Sequence, residues 1–178
     1  MTDTIRTRSA ILTLLADNSS KGISAQDLRD AVVSMWGVFG ELYIASGSSS
    51  QTVTQTAAVM SLWSNAGESN GVTVDTSDNE LVIGTNGDGT YRVNLDISFV
   101  GAAGAKYVFE LRKNGNATGK RAQGRAVLHK DEDYSQHAGL LTYVTAVATD
   151  SLQIYVESDK ASADLKVTDA QFSVERVY

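Results

Sequence analysis

Chemistry in a chain of 178 residues with only two histidines has few places to start. His129 and His137 bracket Lys130-Asp131-Glu132-Asp133-Tyr134-Ser135-Gln136, so imidazole and carboxylate groups fall within one short stretch. Both are metal ligands, but the spacing follows no ligand rule, and the stretch reads as a solvated loop. Loops on a rigid scaffold commonly carry binding. Asp75-Thr76-Ser77-Asp78-Asn79-Glu80 is acidic enough to collect calcium, yet lacks the ordered ligand pattern and the glycine of a calcium loop. It reads as an exposed turn. Gly115-Asn116-Ala117-Thr118-Gly119-Lys120-Arg121 glances at a phosphate loop but lacks the closing Lys-Ser/Thr. Asn18-Ser19-Ser20 and Asn116-Ala117-Thr118 fit the glycosylation pattern and read here as polar turns. Nucleophilic catalysis needs a hydroxyl or thiol beside a base, and no triad suggests itself. No catalytic residue, metal ligand or cofactor-binding residue is therefore assigned, and a non-enzymatic protein is expected.

The elements that would position any site are strands. In Gly89–Val100 the residues Tyr91, Val93, Leu95, Ile97 and Phe99 alternate with Arg92, Asn94, Asp96 and Ser98. This strict period of two predicts a half-buried strand. Asn86-Gly87-Asp88-Gly89, between Leu81–Ile83 and this strand, carries the steps that favour positive φ and predicts a tight hairpin. The same grammar runs on. Glu41–Ala45, Thr52–Trp63, Val72–Val74, Lys106–Leu111 and Ala122–Leu128 read as strands, with Val53, Val59, Leu62 and Trp63 in the core. Tyr107, Phe109 and Leu111 share one face, and Asn114-Gly115 turns the chain. Leu140–Ala148 and Leu152–Val156 are expected to pair across Thr149-Asp150-Ser151. A phase break between Val167 and Ala170 in the last strand predicts a bulge. Many short antiparallel strands from residue 39 to 178 imply a sandwich or jelly roll.

Residues 1–38 differ in kind. A helix is expected over 4–16, with Ile5, Ile11, Leu12, Leu14 and Leu15 on its apolar side. A second opens at Ser24, with Asp27 completing a capping box and Ile23 and Leu28 forming a staple. Leu28, Ala31, Val32, Met35 and Trp36 continue at helical spacing, and Gly37 stops it. Two such helices cannot stand alone. They either pack on the β domain or on sister copies, or form a docking arm for a larger assembly; the docking arm is the favoured reading, with Ile11, Leu15, Leu28, Val32 and Trp36 as its contact residues.

The net charge is −6, and it lies entirely beyond residue 36. That balance argues against binding a nucleic-acid backbone. With one arginine against two aspartates in the second helix, a DNA-reading helix-turn-helix is also disfavoured. Neither cysteine nor proline occurs, which excludes disulfides and thiolate metal sites. No apolar run approaches a membrane span, and Met1-Thr2-Asp3-Thr4 does not open as a signal peptide. One strand hints at company. Leu140–Ala148 is apolar on both faces, whereas a strand with one buried face should alternate. A symmetric homo-oligomer would cover the second face.

Several stretches resemble a phage-borne branch of the tumour-necrosis-factor/complement-head jelly roll. They are Asn70-Gly71-Val72-Thr73, the Gly89-Thr90-Tyr91 strand, Phe109-Glu110-Leu111-Arg112-Lys113-Asn114-Gly115, Ile154-Tyr155-Val156-Glu157-Ser158 and Asp169–Val177. Arg8–Asn18 and Ile23–Ser34 resemble the N-terminal segment of tailed-phage structural proteins. The resemblance implies a tight homotrimer on a virion surface, assembled in the host cytoplasm, with an obligate interface of roughly 2,000–5,000 Å². Its expected partners are sister copies and a major capsid or other virion protein. Three arms would add avidity to weak single contacts. The expected function is capsid decoration, as a cement or head-fibre protein. The alternative is a tail-fibre or baseplate-associated trimer that recognises a host glycan or protein. Leu141, Tyr143, Val147, Tyr155 and Tyr178 are the expected trimer-interface residues.

Overall fold

A computed structural model describes residues 37–126 except 48, residues 135–177, and Ala10, Ile11, Thr13, Leu28, Arg29, Ala31 and Val32. Those seven isolated residues have helical backbone, and Leu28 and Val32 are exposed. The rest of residues 1–36, including Leu15 and Trp36, lies outside the described residues, as does Tyr178, so the expected two-helix arm is not shown.

Twelve strands follow from residue 39. They are β1 (Phe39–Ile44), β2 (Ser50–Val53), β3 (Ala58–Val59), β4 (Asn65–Ala66), β5 (Val72–Asp75) and β6 (Glu80–Ile83), then β7 (Gly89–Gly101), β8 (Lys106–Lys113), β9 (Asn116–Arg125), β10 (Gln136–Ala146), β11 (Ser151–Ser158) and β12 (Ala163–Arg176). They form two 6-stranded antiparallel sheets. Sheet I runs β10-β7-β12-β1-β4, with β2 also on β12; sheet II runs β5-β6-β11-β8-β9, with β3 also on β11.

Alternation places the core between them. Tyr91, Val93, Leu95, Ile97 and Phe99 of β7 are all buried, as the pattern predicts. Opposite them Tyr107, Phe109 and Leu111 point inward from β8. Phe99 meets Tyr107 and Phe109 edge-on, with centroids 5.4 and 5.5 Å apart. That is a favoured aromatic geometry. Val53 and Trp63 are buried, but Val59 and Leu62 are only partly so.

The expected bulge is present. The register of β12 shifts between Val167 and Asp169. Before the shift β12 pairs with β2, and after it with β1, so one strand serves two partners in turn. Thr168, the extra residue, donates its hydroxyl to Ser98 O and accepts from Gly47 N. At the far end Phe39 faces Glu175, and Arg176 N donates to Val38 O.

Two expected hairpins are corrected. β6 lies in sheet II and β7 in sheet I, so Asn86-Gly87-Asp88 carries the chain across the sandwich rather than back along one sheet. Asn86 does adopt positive φ, at 63°. Likewise β10 pairs with β7, while β11 pairs with β8 and β6. The two crossings run side by side. Thr149 N donates to Ile83 O, Ile83 N to Asp150 O, and Ala148 N to the Asp88 carboxylate. Asp150 locks the second crossing by accepting from Val147 N at 2.9 Å, Asn114 Nδ2 at 2.6 Å and Lys113 Nζ at 3.2 Å. Burial pushes its carboxyl up, but these donors outweigh that and hold it below the usual range. Asn114-Gly115, with φ of 51° and 74°, is the one-sheet hairpin expected between β8 and β9.

Candidate functional site

No group of three or more His, Asp or Glu side chains that could hold a metal occurs among the described residues. His137 lies on the outer face of sheet I and bonds Asp96 of β7, while His129 falls outside the described residues. The Asp75–Glu80 stretch is a turn closed on itself: the Asp75 carboxylate accepts from Ser77 N at 2.7 Å and Asp78 N at 3.0 Å. Gly115–Arg121 belongs to the β8–β9 hairpin. The helical N-terminus or ligand cradle that a phosphate loop would need is not what this segment builds.

What stands out is the outer face of sheet I. Register brings side chains into rows across it: Tyr143, Arg92, Glu175 and Phe39 in one, Leu141, Asn94, Ser173 and Glu41 in the next. Leu141 is 67% exposed, Tyr143 54% and Phe39 37%. Arg92 and Glu175 form an ion pair at 2.5 Å, each half-exposed. A hollow of about 490 Å³ lies over these rows, walled by Phe39 and Leu141 and floored by Arg92, Asn94, Ser173 and Glu175. Val147, just beyond β10, and Val177, just beyond β12, are also exposed. Exposed large apolar side chains on one face make it a candidate interaction surface.

Two of the expected interface residues, Leu141 and Tyr143, thus lie on this face, and Val147 is exposed where the chain leaves β10. Tyr155 does not lie on this face. It points outward from β11 in sheet II, facing Glu110, and the Arg112 guanidinium covers its ring at 4.2 Å. The expected β10–β11 pairing would have put both strands in one sheet, whereas β11 lies in sheet II. Phe39 gives no signal in the sequence, because a residue at the start of a strand shows no alternation of its own. Its register with Glu175 is a long-range fact.

The outer face of sheet II is different in chemistry. Its centre is Glu110, held by Arg112 and Arg121. The hydrogen bond with Glu110, then its charge, raises Arg121 above the usual guanidinium range.

No protein-family model matches the sequence, and no curated protein matches it. Solved structures do. A tumour-necrosis-factor protein, Eiger from S. frugiperda, superposes with a TM-score of 0.56 at 11% identity, over 80% of this chain and 93% of that one. The globular domain of the zebrafish complement 1qA protein superposes with a TM-score of 0.53 at 11% identity, over 79% and 98%. At that identity the likeness shows the fold: the strands from residue 39 onward build a jelly roll of the tumour-necrosis-factor/complement-head type.

Proposed function

We propose that this chain is a non-enzymatic virion structural protein of a phage: a homotrimer that decorates and stabilises the capsid, held there by residues 1–38. The observation that carries the reading is the outer face of sheet I, where Leu141, Tyr143 and Phe39 are left exposed beside a ready-made ion pair. In this reading that face turns toward the threefold axis. Sister copies cover the apolar side chains, and the Arg92–Glu175 pair is buried already neutralised, which limits its desolvation cost. The resemblance of residues 8–34 to tailed-phage N-terminal segments supports the virion setting, and the jelly-roll neighbours support the trimer.

Sedimentation equilibrium at micromolar concentration tests the assembly. Three copies of the 19.0 kDa chain, about 57 kDa, are expected. A stable monomer would remove the argument. Deleting residues 1–36 should leave a folded trimer that no longer loads onto capsids; loading by the truncated protein would refute the docking arm.

A further inference from the structure

Glu110 points outward from β8, yet it is only 4% exposed. Two arginines cover it. Arg112 Nε donates to one carboxylate oxygen at 3.1 Å and Arg121 Nε to the other at 2.8 Å. Arg112 is further fixed by the Tyr155 ring beneath it and by an Nη1 bond to Gly115 O at 3.4 Å. One carboxylate therefore restrains two guanidiniums and leaves one positive charge over. Arg121 is tied only through Nε. Its two Nη nitrogens meet no acceptor among the described residues, and its side chain is 53% exposed. A guanidinium so held presents a two-pronged donor to solvent with part of its freedom already surrendered.

A second cationic group sits on the same face. Lys106 and Arg125 are opposite each other on β8 and β9. Arg125 is steadied by donating to Gly104 O at 3.0 Å. Arg121 and Arg125 are four residues apart on one strand, about 13 Å. Between them lie Val108 and Gln123, with Glu157 on the neighbouring strand and Asp159 beside Lys106. Residues 106–125 hold six basic side chains and one acidic one, in a chain whose net charge is −6.

We propose that the outer face of β8–β9 binds a linear acidic polysaccharide, with one acid group in the fork of Arg121 and another at the Lys106–Arg125 pair. The carboxylates between and beside the two cationic groups favour this class. Each strand of a nucleic-acid duplex carries a charge about every 3.4 Å along its axis, so several phosphates would fall against Glu157 and Asp159. A polymer with acid groups well separated along its length places neutral sugar there instead. The site is on the sheet opposite Leu141 and Tyr143, away from the face that the trimer reading covers.

The test uses the full-length protein and three probes at low salt: hyaluronan, whose carboxylate recurs on every second sugar; neutral dextran; and an oligonucleotide duplex. Hyaluronan should bind best, and added salt should weaken it. R121Q with R125Q should cost about tenfold or more in affinity. The sharper variant is E110Q. It adds net positive charge and leaves one acceptor oxygen where the two guanidiniums use one each, so the Arg112–Arg121 arrangement loosens; fixed geometry then predicts weaker hyaluronan binding and bulk electrostatics predicts stronger. Circular dichroism and sedimentation confirm that each variant is folded, and R121Q alone serves should E110Q fail to fold. The proposal is overturned by no hyaluronan binding, by equal binding to dextran, by tighter binding of the oligonucleotide, by an unaffected R121Q/R125Q variant, or by tighter binding of E110Q.

Discussion

The two outer faces of this sandwich are built from equally alternating strands and end in opposite conditions. On sheet II the ionic groups close on one another: Glu110 has both oxygens occupied, and Tyr155 is roofed by Arg112. On sheet I the ion pair Arg92–Glu175 stands half-exposed, and Leu141, Tyr143 and Phe39 remain exposed among the described residues. Among those residues, one face is closed by its own side chains and the other leaves large apolar groups open. Period-two patterning puts a residue on a face, but only its cross-strand neighbours decide whether that face is finished.

The largest effect should come from charging the unfinished face. L141E with Y143E should abolish the trimer at micromolar concentration, read by sedimentation. Burying a large apolar side chain contributes about 1.5–3 kcal/mol, and a threefold axis repeats the loss in every copy. Q123E on sheet II is the matching control and should leave assembly intact. Equal loss from both variants would erase the distinction between the faces.

A smaller effect compares the buried phenols, one from each sheet. Burial raises the pKa of Tyr91 to about 12, and it raises Tyr107 as well. Tyr91 donates its hydroxyl to Gly87 O in the first crossing, and Tyr107 donates to Asp164 O at 2.6 Å. Below pH 10 these phenols are neutral in both folded and unfolded chains, and they add no pH dependence. Above it the unfolded chain releases its protons while the folded one holds them, so stability falls as pH rises from about 10 toward 12. For Tyr91 the loss approaches about 3 kcal/mol at its limit. Urea titrations across that range should show the decline, and Y91F should flatten most of it.

The smallest effect separates chain stability from assembly. An exposed ion pair contributes about 0–1 kcal/mol. R92A should therefore barely change the stability of a monomeric L141E/Y143E background. In the native chain it should weaken the trimer markedly, because it would strand Glu175 in a covered interface. Equal, small effects in both backgrounds would argue that this face never becomes covered.

Much of the fold was legible in the sequence, because local chemistry carried it. The β7 alternation, the bulge in β12 and the Asn114-Gly115 hairpin each depend on a few neighbouring residues. The two crossings were not legible. Asn86-Gly87 and Thr149-Asp150 signal that the chain turns, but not whether it returns to the same sheet. That choice rests on bonds between the crossings, such as Thr149 N to Ile83 O, which join residues far apart in sequence. The same limit hid the Glu110 cluster and the separation of Tyr155 from Leu141 and Tyr143. The exposed Leu141 and Tyr143 were found because a strand apolar on both faces is visible without any partner.

The pairing of Phe39 with Glu175, and of Val38 with Arg176, has a practical corollary. The jelly roll takes in its chain and gives it back at a single pole. A cargo joined behind residue 178 would emerge next to whatever precedes residue 39, leaving the opposite pole clear. The head could equally be spliced into a loop of an unrelated carrier, because entry and exit already lie a strand's width apart.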